Sequence, residues 1–130
     1  MANNVIEASR VTKVYGAIRA VDSVDLAVRA GETFGLIGHN GAGKTTLFKM
    51  MLGLIPATSG EIRIDGRPVR GEAFRQVRRR VGYLPENVVL YDNLTGLETL
   101  YFFAALKNVP RAECAPLLER VGLSRASSQR

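Results

Sequence analysis

The spacing of apolar and polar residues changes along this chain, with alternating elements first and helical ones later. Val24, Leu26 and Val28 alternate with Asp25 and Ala27, the period of a strand with one buried face. Residues 5–11 predict another strand. Residues 33–37, an apolar run after the turn Ala30-Gly31-Glu32, predict a third. Residues 45–52 then read as a helix, stopped by Gly53. Residues 56–60 form a loop by composition. Residues 61–65 alternate again, and Asp65-Gly66 turns them back into Arg67-Pro68-Val69. Residues 72–80 predict a short basic helix, and residues 81–84 a short strand ended by Pro85.

The remainder is helical. Thr95-Gly96-Leu97-Glu98 has the spacing of a capping box. It opens a helix to about Lys107 with Leu97, Leu100, Tyr101 and Ala104 on one face. Pro110 stands where a first helical position belongs, and a second helix reaches Val121 with Gly122 as its cap. Residues 124–130 are a polar tail with no packing signal. The layout is α/β: strands with one early helix, then two consecutive helices.

Composition narrows the class. At 130 residues there is room for one domain, and 46% apolar residues argue against overall disorder. The most apolar stretch, 95–109, is broken by Glu98 and Lys107, so no membrane span is expected. The first residues lack the basic start and apolar stretch of a signal peptide, and Cys114 is the single cysteine, so a cytoplasmic setting is expected. The net charge is +6, and six arginines fall at 67, 70, 75, 78, 79 and 80. Nucleic acid or an anionic surface is one reading of them. No aromatic residues are interleaved to stack on bases, which favours a solvated helix face and argues against nucleic acid as a partner.

The chemistry lies in residues 38–45, Gly-His-Asn-Gly-Ala-Gly-Lys-Thr, which fit the phosphate-binding pattern G-x-x-x-x-G-K-[ST]. Chance gives about one match in 200 chains of this length. Gly38, Gly41 and Gly43 let the backbone turn tightly and approach a ligand, and the N–H groups so freed can face phosphate oxygens. Lys44 supplies a point charge to the β- and γ-phosphates. The Thr45 hydroxyl is a hard oxygen ligand suited to Mg²⁺. A helix starting near Gly43 adds the positive end of its dipole. His39, the single histidine, occupies a variable position of the loop, where its backbone matters more than its ring.

In this order the motifs resemble the ATP-binding domain of ABC transporters, over residues 1–123. The phosphate loop carries the family's wording at Asn40, Gly41, Ala42 and Gly43, followed by Lys44, Thr45 and Thr46. Leu54, Thr58-Ser59-Gly60-Glu61-Ile62 and Asp65-Gly66 match its bridge to an antiparallel hairpin. Residues 81–87 match the strand running into its glutamine loop, and residues 95–123 the start of its helical subdomain. Gly38-His39-Asn40 with Tyr83-Leu84-Pro85-Glu86-Asn87 is similar, more narrowly, to the ATP-binding subunits of nitrous-oxide reductase maturation, which process copper.

The resemblance implies a P-loop NTPase core with an N-terminal antiparallel β-subdomain and the beginning of a helical subdomain. It implies ATP and Mg²⁺ as ligands and ATP hydrolysis coupled to transport. Tyr15 stands where the family stacks an aromatic ring on adenine; packing on the core is the plain alternative. Glu86 aligns with the family's glutamine, which touches Mg²⁺ and the attacking water. A carboxylate can bind Mg²⁺ but, ionised, donates no hydrogen bond; an exposed loop acid is the alternative. The permease contact falls on residues 86–94, and two such subunits pair at the inner face of the membrane. The family's signature loop, acidic strand with catalytic glutamate and late histidine follow residue 123, and residues 124–130 resemble none of them. The expectation is an incomplete domain that binds ATP without turnover, with apolar sheet edges exposed. A nucleic-acid- or ribosome-associated ATPase and a non-functional remnant are the alternatives. Unrelated P-loop kinases and GTPases lack the upstream aromatic and the hairpin.

Overall fold

Asn4–Tyr15 (β1) and Ile18–Arg29 (β2) form one long antiparallel hairpin in the computed structural model, which describes residues 3–129. The two residues between them, Gly16 and Ala17, turn the chain, with Gly16 at φ +56° in the left-handed region that tight hairpins require. Both strands run well beyond the lengths their alternation suggests. Register shifts interrupt the pairing between Ala8 and Lys13, and Arg10 and Ser23 adopt φ +46° and +45°. Such bulges hide a period of two from a pattern reading. They are held locally: the Arg10 N–H donates to Asp25 Oδ1 at 2.8 Å, and the Ser23 N–H to Thr12 Oγ1 at 2.9 Å.

Ser59–Ile64 (β3) pairs antiparallel with β1, and Arg67–Pro68 (β4) returns beside it through the Asp65-Gly66 turn, giving the sheet order β2-β1-β3-β4. Lys44–Met51 (α1) lies against this sheet. Its Leu47 and Met50, three apart on one face, join Ala8, Val11, Val21 and Ile62 in a buried core. Each of these side chains larger than alanine stabilises by about 1.5–3 kcal/mol when removed from water. A smaller cluster of Ile64, Phe74 and Val77 seats Gly71–Arg78 (α2). That helix starts and ends earlier than the basic stretch suggested.

Two expected strands are absent among the described residues. Residues 33–37 and 81–84 are irregular and enter no ladder. Their apolar residues are largely open to solvent, Ile37 at 96% and Leu84 at 82% exposed. The apolar composition is that of strands, but a strand exists only where a neighbour pairs with its N–H and C=O groups.

The chain divides into two compact units, one up to Gly82 and one from Tyr83. In the second, Gly96–Lys107 (α3) opens with the full capping box: Thr95 Oγ1 accepts from the Glu98 N–H at 3.2 Å, and Glu98 Oε2 from the Thr95 N–H at 2.8 Å. Asn108 ends it at φ +59°. Pro110 precedes a single 3₁₀ turn, Arg111–Glu113, rather than opening the helix, and Cys114–Arg120 (α4) follows. Thr99 and Ala104 are the buried residues of α3, while Leu97, Leu100 and Tyr101 are half-buried. The tail is not inert. Ser124–Ala126 forms another 3₁₀ turn, and the Ser127 and Gln129 carbonyls accept from the N–H groups of Leu97 and Gly96 at 3.1 and 3.3 Å. No helix among the described residues is long and apolar enough to cross a membrane.

Candidate functional site

Helix α1 begins directly at Lys44, with Gly43 as its N-cap at φ +92°. A glycine cap has no side chain to occupy the first-turn N–H groups, which are left to a ligand or solvent. Gly43 is fixed by what stands behind it. A Cβ at this position would lie 2.1 Å from the backbone oxygen of Ala20 on β2. Gly41 is also left-handed, at φ +89°, but faces open space. At Gly38 a Cβ would press on the Ala42 methyl at 3.1 Å. Within the loop the Ala42 N–H donates to the His39 carbonyl at 3.1 Å.

Residues 39–46 and Ala20 surround an open cavity of about 320 Å³. Asn40, Gly41, Ala42, Gly43, Lys44, Thr45 and Thr46 all line it, and Gly38 closes the loop behind them through its carbonyl. Lys44 is half-buried. Its ammonium donates to the Gly38 carbonyl and, at 2.8 Å, to that of His39. Two of its three donors thus tie it across the loop and the third is available to an anion. Thr45 is exposed and Thr46 half-buried at the start of α1. The His39 ring contacts the neighbouring Asn40 carbonyl at 2.8 Å through Nδ1. The arrangement combines backbone donors, a helix N-terminus and one fixed cation, the chemistry of a phosphate cradle.

Tyr15 ends β1 and pairs across the turn with Ile18; Ala20, lining the phosphate cavity, is two residues further on. Its residue surface is 49% exposed, so it is not a core tyrosine. Lys13 Nζ sits 5.0 Å from its ring centroid. Neither Ala20 nor Lys13 emerges from sequence reasoning, because each acts through a contact that no spacing rule encodes.

Glu86 lies in the second unit, exposed, in the irregular segment between residues 81 and 95. Val88, Val89, Leu90 and Tyr91 beyond it are exposed, Val89 at 90%. Tyr91 packs edge-on against Phe102 of α3, with ring centroids 5.6 Å apart. Among the described residues no group of three His, Cys, Asp or Glu side chains converges on a metal position. The Thr45 hydroxyl, exposed where it lines the cavity, is a hard oxygen donor of the kind Mg²⁺ takes. The residues fit a metal brought with a nucleotide.

The arginine run is largely self-satisfied. Arg67 donates to Gln76 Oε1 at 2.8 Å, Arg75 to Glu72 at 3.2 Å and Arg80 to Asp65 at 2.6 Å. Arg78 donates to the Leu52 and Gly53 carbonyls at 3.2 and 3.3 Å and lies over the Phe74 ring. The paired guanidinium groups of Arg75 and Arg80 remain exposed to solvent.

The model of the family described as ABC transporter matches residues 21–130. An uncharacterised ABC transporter ATP-binding protein of Synechocystis is 38% identical over 138 aligned positions, covering 98% of this chain and 38% of that protein. A probable multidrug ABC transporter ATP-binding protein of Escherichia coli, YbhF, is 45% identical over 102 residues, covering 78% of this chain and 18% of that protein. A solved ATP-binding subunit of an ABC transporter superposes with a TM-score of 0.82 at 35% identity, over 95% of this chain and 53% of the other. The chain thus spans from just under a fifth to about half of the length of these relatives. Its α/β fold, with the antiparallel sheet beside the phosphate-loop helix, is that of the N-terminal part of such subunits. The chain belongs to the ABC transporter family, in the part of its ATP-binding domain that carries the phosphate loop.

Proposed function

We propose that this chain holds the triphosphate of ATP in the loop formed by residues 38–45, as part of an ATP-binding subunit that drives a membrane transporter. The observation that carries the reading is the cradle itself: Gly43 against Ala20, Lys44 bound across the loop, and α1 opening into the cavity. In this reading the Asn40, Gly41, Ala42 and Gly43 backbone surrounds the phosphates, Lys44 neutralises the β- and γ-groups, and Thr46 completes the first turn. Thr45 would hold Mg²⁺ together with phosphate oxygens, and that ion supplies charge neutralisation during phosphoryl transfer. Tyr15 stacks on the base; its exposure at the hairpin end supports this over core packing. Glu86, a carboxylate in place of the family's glutamine, is proposed as a metal ligand in its own right.

In-line attack needs a positioned water and a group to activate it. Residues 38–46 supply neither, so this loop holds the nucleotide and turnover draws on groups outside it. Hydrolysis and transport belong to the longer assembly, in which two ATP-binding subunits pair. Residues 86–94 meet a membrane permease, and their exposed apolar side chains support that assignment. The subunit is then cytoplasmic, peripheral at the inner face of the membrane. Lys44→Ala is the test: ATP binding is lost in the variant and present in the parent.

A further inference from the structure

Lys13 and Tyr15 stand two apart on β1, and their side chains meet, with Nζ 5.0 Å from the ring centroid. The same ammonium donates to the Pro56 carbonyl at 2.7 Å. Val14, between them, donates its N–H to Thr58 Oγ1 at 3.0 Å, and the Thr58 N–H donates back to the Thr12 carbonyl at 2.8 Å. The loop after α1 is therefore stitched to β1 at residues 12, 13 and 14 in succession. Lys13 is the stitch that also touches the ring. A cation over an aromatic ring is attracted to it and covers one face. The ring has a second face, and about half of the Tyr15 surface is open, 49%.

We infer that Lys13 is a positioning residue for nucleobase recognition: its ammonium, anchored on the Pro56 carbonyl, holds the Tyr15 ring by one face and leaves the other to stack on a base. The inference rests on the reading of Tyr15 as the stacking residue. It links the base position to the loop that leaves α1, so that base and phosphate are held by one framework. The competing role is direct attraction of the phosphates by the Lys13 charge, which would act whether or not a base is attached.

Titrations with ATP and with inorganic triphosphate separate these roles, using the parent chain, Lys13→Met, Lys13→Arg, Tyr15→Ala and the Lys13→Met/Tyr15→Ala pair. Lys13→Met should weaken ATP binding about threefold, the range of an exposed cation–π contact. It should leave inorganic triphosphate binding unchanged, which also reports that the variant folds. Lys13→Arg should retain ATP affinity, and Lys13→Met should add nothing once Tyr15 is alanine. Parallel losses for both ligands overturn the positioning role, as does unchanged ATP affinity in Lys13→Met beside a weakened Tyr15→Ala; both leave stacking intact. Unchanged ATP affinity in Tyr15→Ala overturns the stacking reading and this inference with it. A parent chain that binds neither ligand overturns both.

Discussion

The backbone oxygen of Ala20 stands where Gly43 would carry its first side-chain atom, 2.1 Å from a Cβ built there. The β-hairpin thereby backs the phosphate loop at the point where α1 begins. Gly43→Ala must both strain a left-handed backbone and displace a strand carbonyl. It should lower stability by about 2–4 kcal/mol in urea denaturation and abolish ATP binding. Gly41→Ala is the control, since Gly41 has a similar φ of +89° and open space around it. It should lose only the backbone term, about 1–2 kcal/mol. Equal losses at the two positions would show that the Ala20 contact does not set the loop.

The metal assignment separates from the phosphate assignment at Thr45. Thr45→Val keeps the shape and removes the hydroxyl ligand. ATP affinity measured with Mg²⁺ should fall roughly tenfold, ~1.4 kcal/mol, while affinity in chelator stays level. Mg²⁺ alone should bind the parent chain no better than the variant, because Thr45 offers a single oxygen. A loss of the same size in chelator would move Thr45 from metal ligand to phosphate donor.

The capping box on α3 gives a prediction confined to the second unit. Thr95→Ala removes the acceptor for the Glu98 N–H and should destabilise the helix by about 1 kcal/mol. Hydrogen exchange of the first-turn amides of α3 should accelerate accordingly, and Thr95→Ser should restore protection. Unchanged exchange in Thr95→Ala would mean that the Glu98 carboxylate and the carbonyls of Ser127 and Gln129 hold this end without the Thr95 hydroxyl.

The paired arginines predict weak nucleic-acid binding. Arg75 and Arg80 are engaged by Glu72 and Asp65 on the protein's own surface. Affinity for a random DNA duplex at physiological salt should be no tighter than the non-specific range of about 10⁻⁴–10⁻⁶ M. Submicromolar binding lost in an Arg75→Ala/Arg79→Ala variant would restore the nucleic-acid reading.

Sequence spacing revealed most clearly those features whose physics is local. The phosphate loop, the helix after it, the Asp65-Gly66 turn and the Thr95–Glu98 capping box each depend on residues a few positions apart, and each is where the pattern put it. Features fixed by distant partners were not legible. The bulges at Arg10 and Ser23 rest on Asp25 and Thr12 and mask the true lengths of β1 and β2. Residues 33–37 and 81–84 have strand composition without a ladder partner. The tail docks on α3 through backbone carbonyls, which every sequence possesses, so its polar composition gave no warning. At the site, the loop glycines were visible, but Ala20 behind Gly43 and Lys13 on Tyr15 were not.

If residues 38–45 hold a nucleotide triphosphate through Lys44, removing that ammonium must remove the binding. Calorimetric titration of ATP into the parent chain and into Lys44→Ala, with matched far-ultraviolet circular dichroism to show equal folding, tests it most directly. Saturable binding by the parent and none by the variant is the expected result. Equal binding by two equally folded proteins would contradict it.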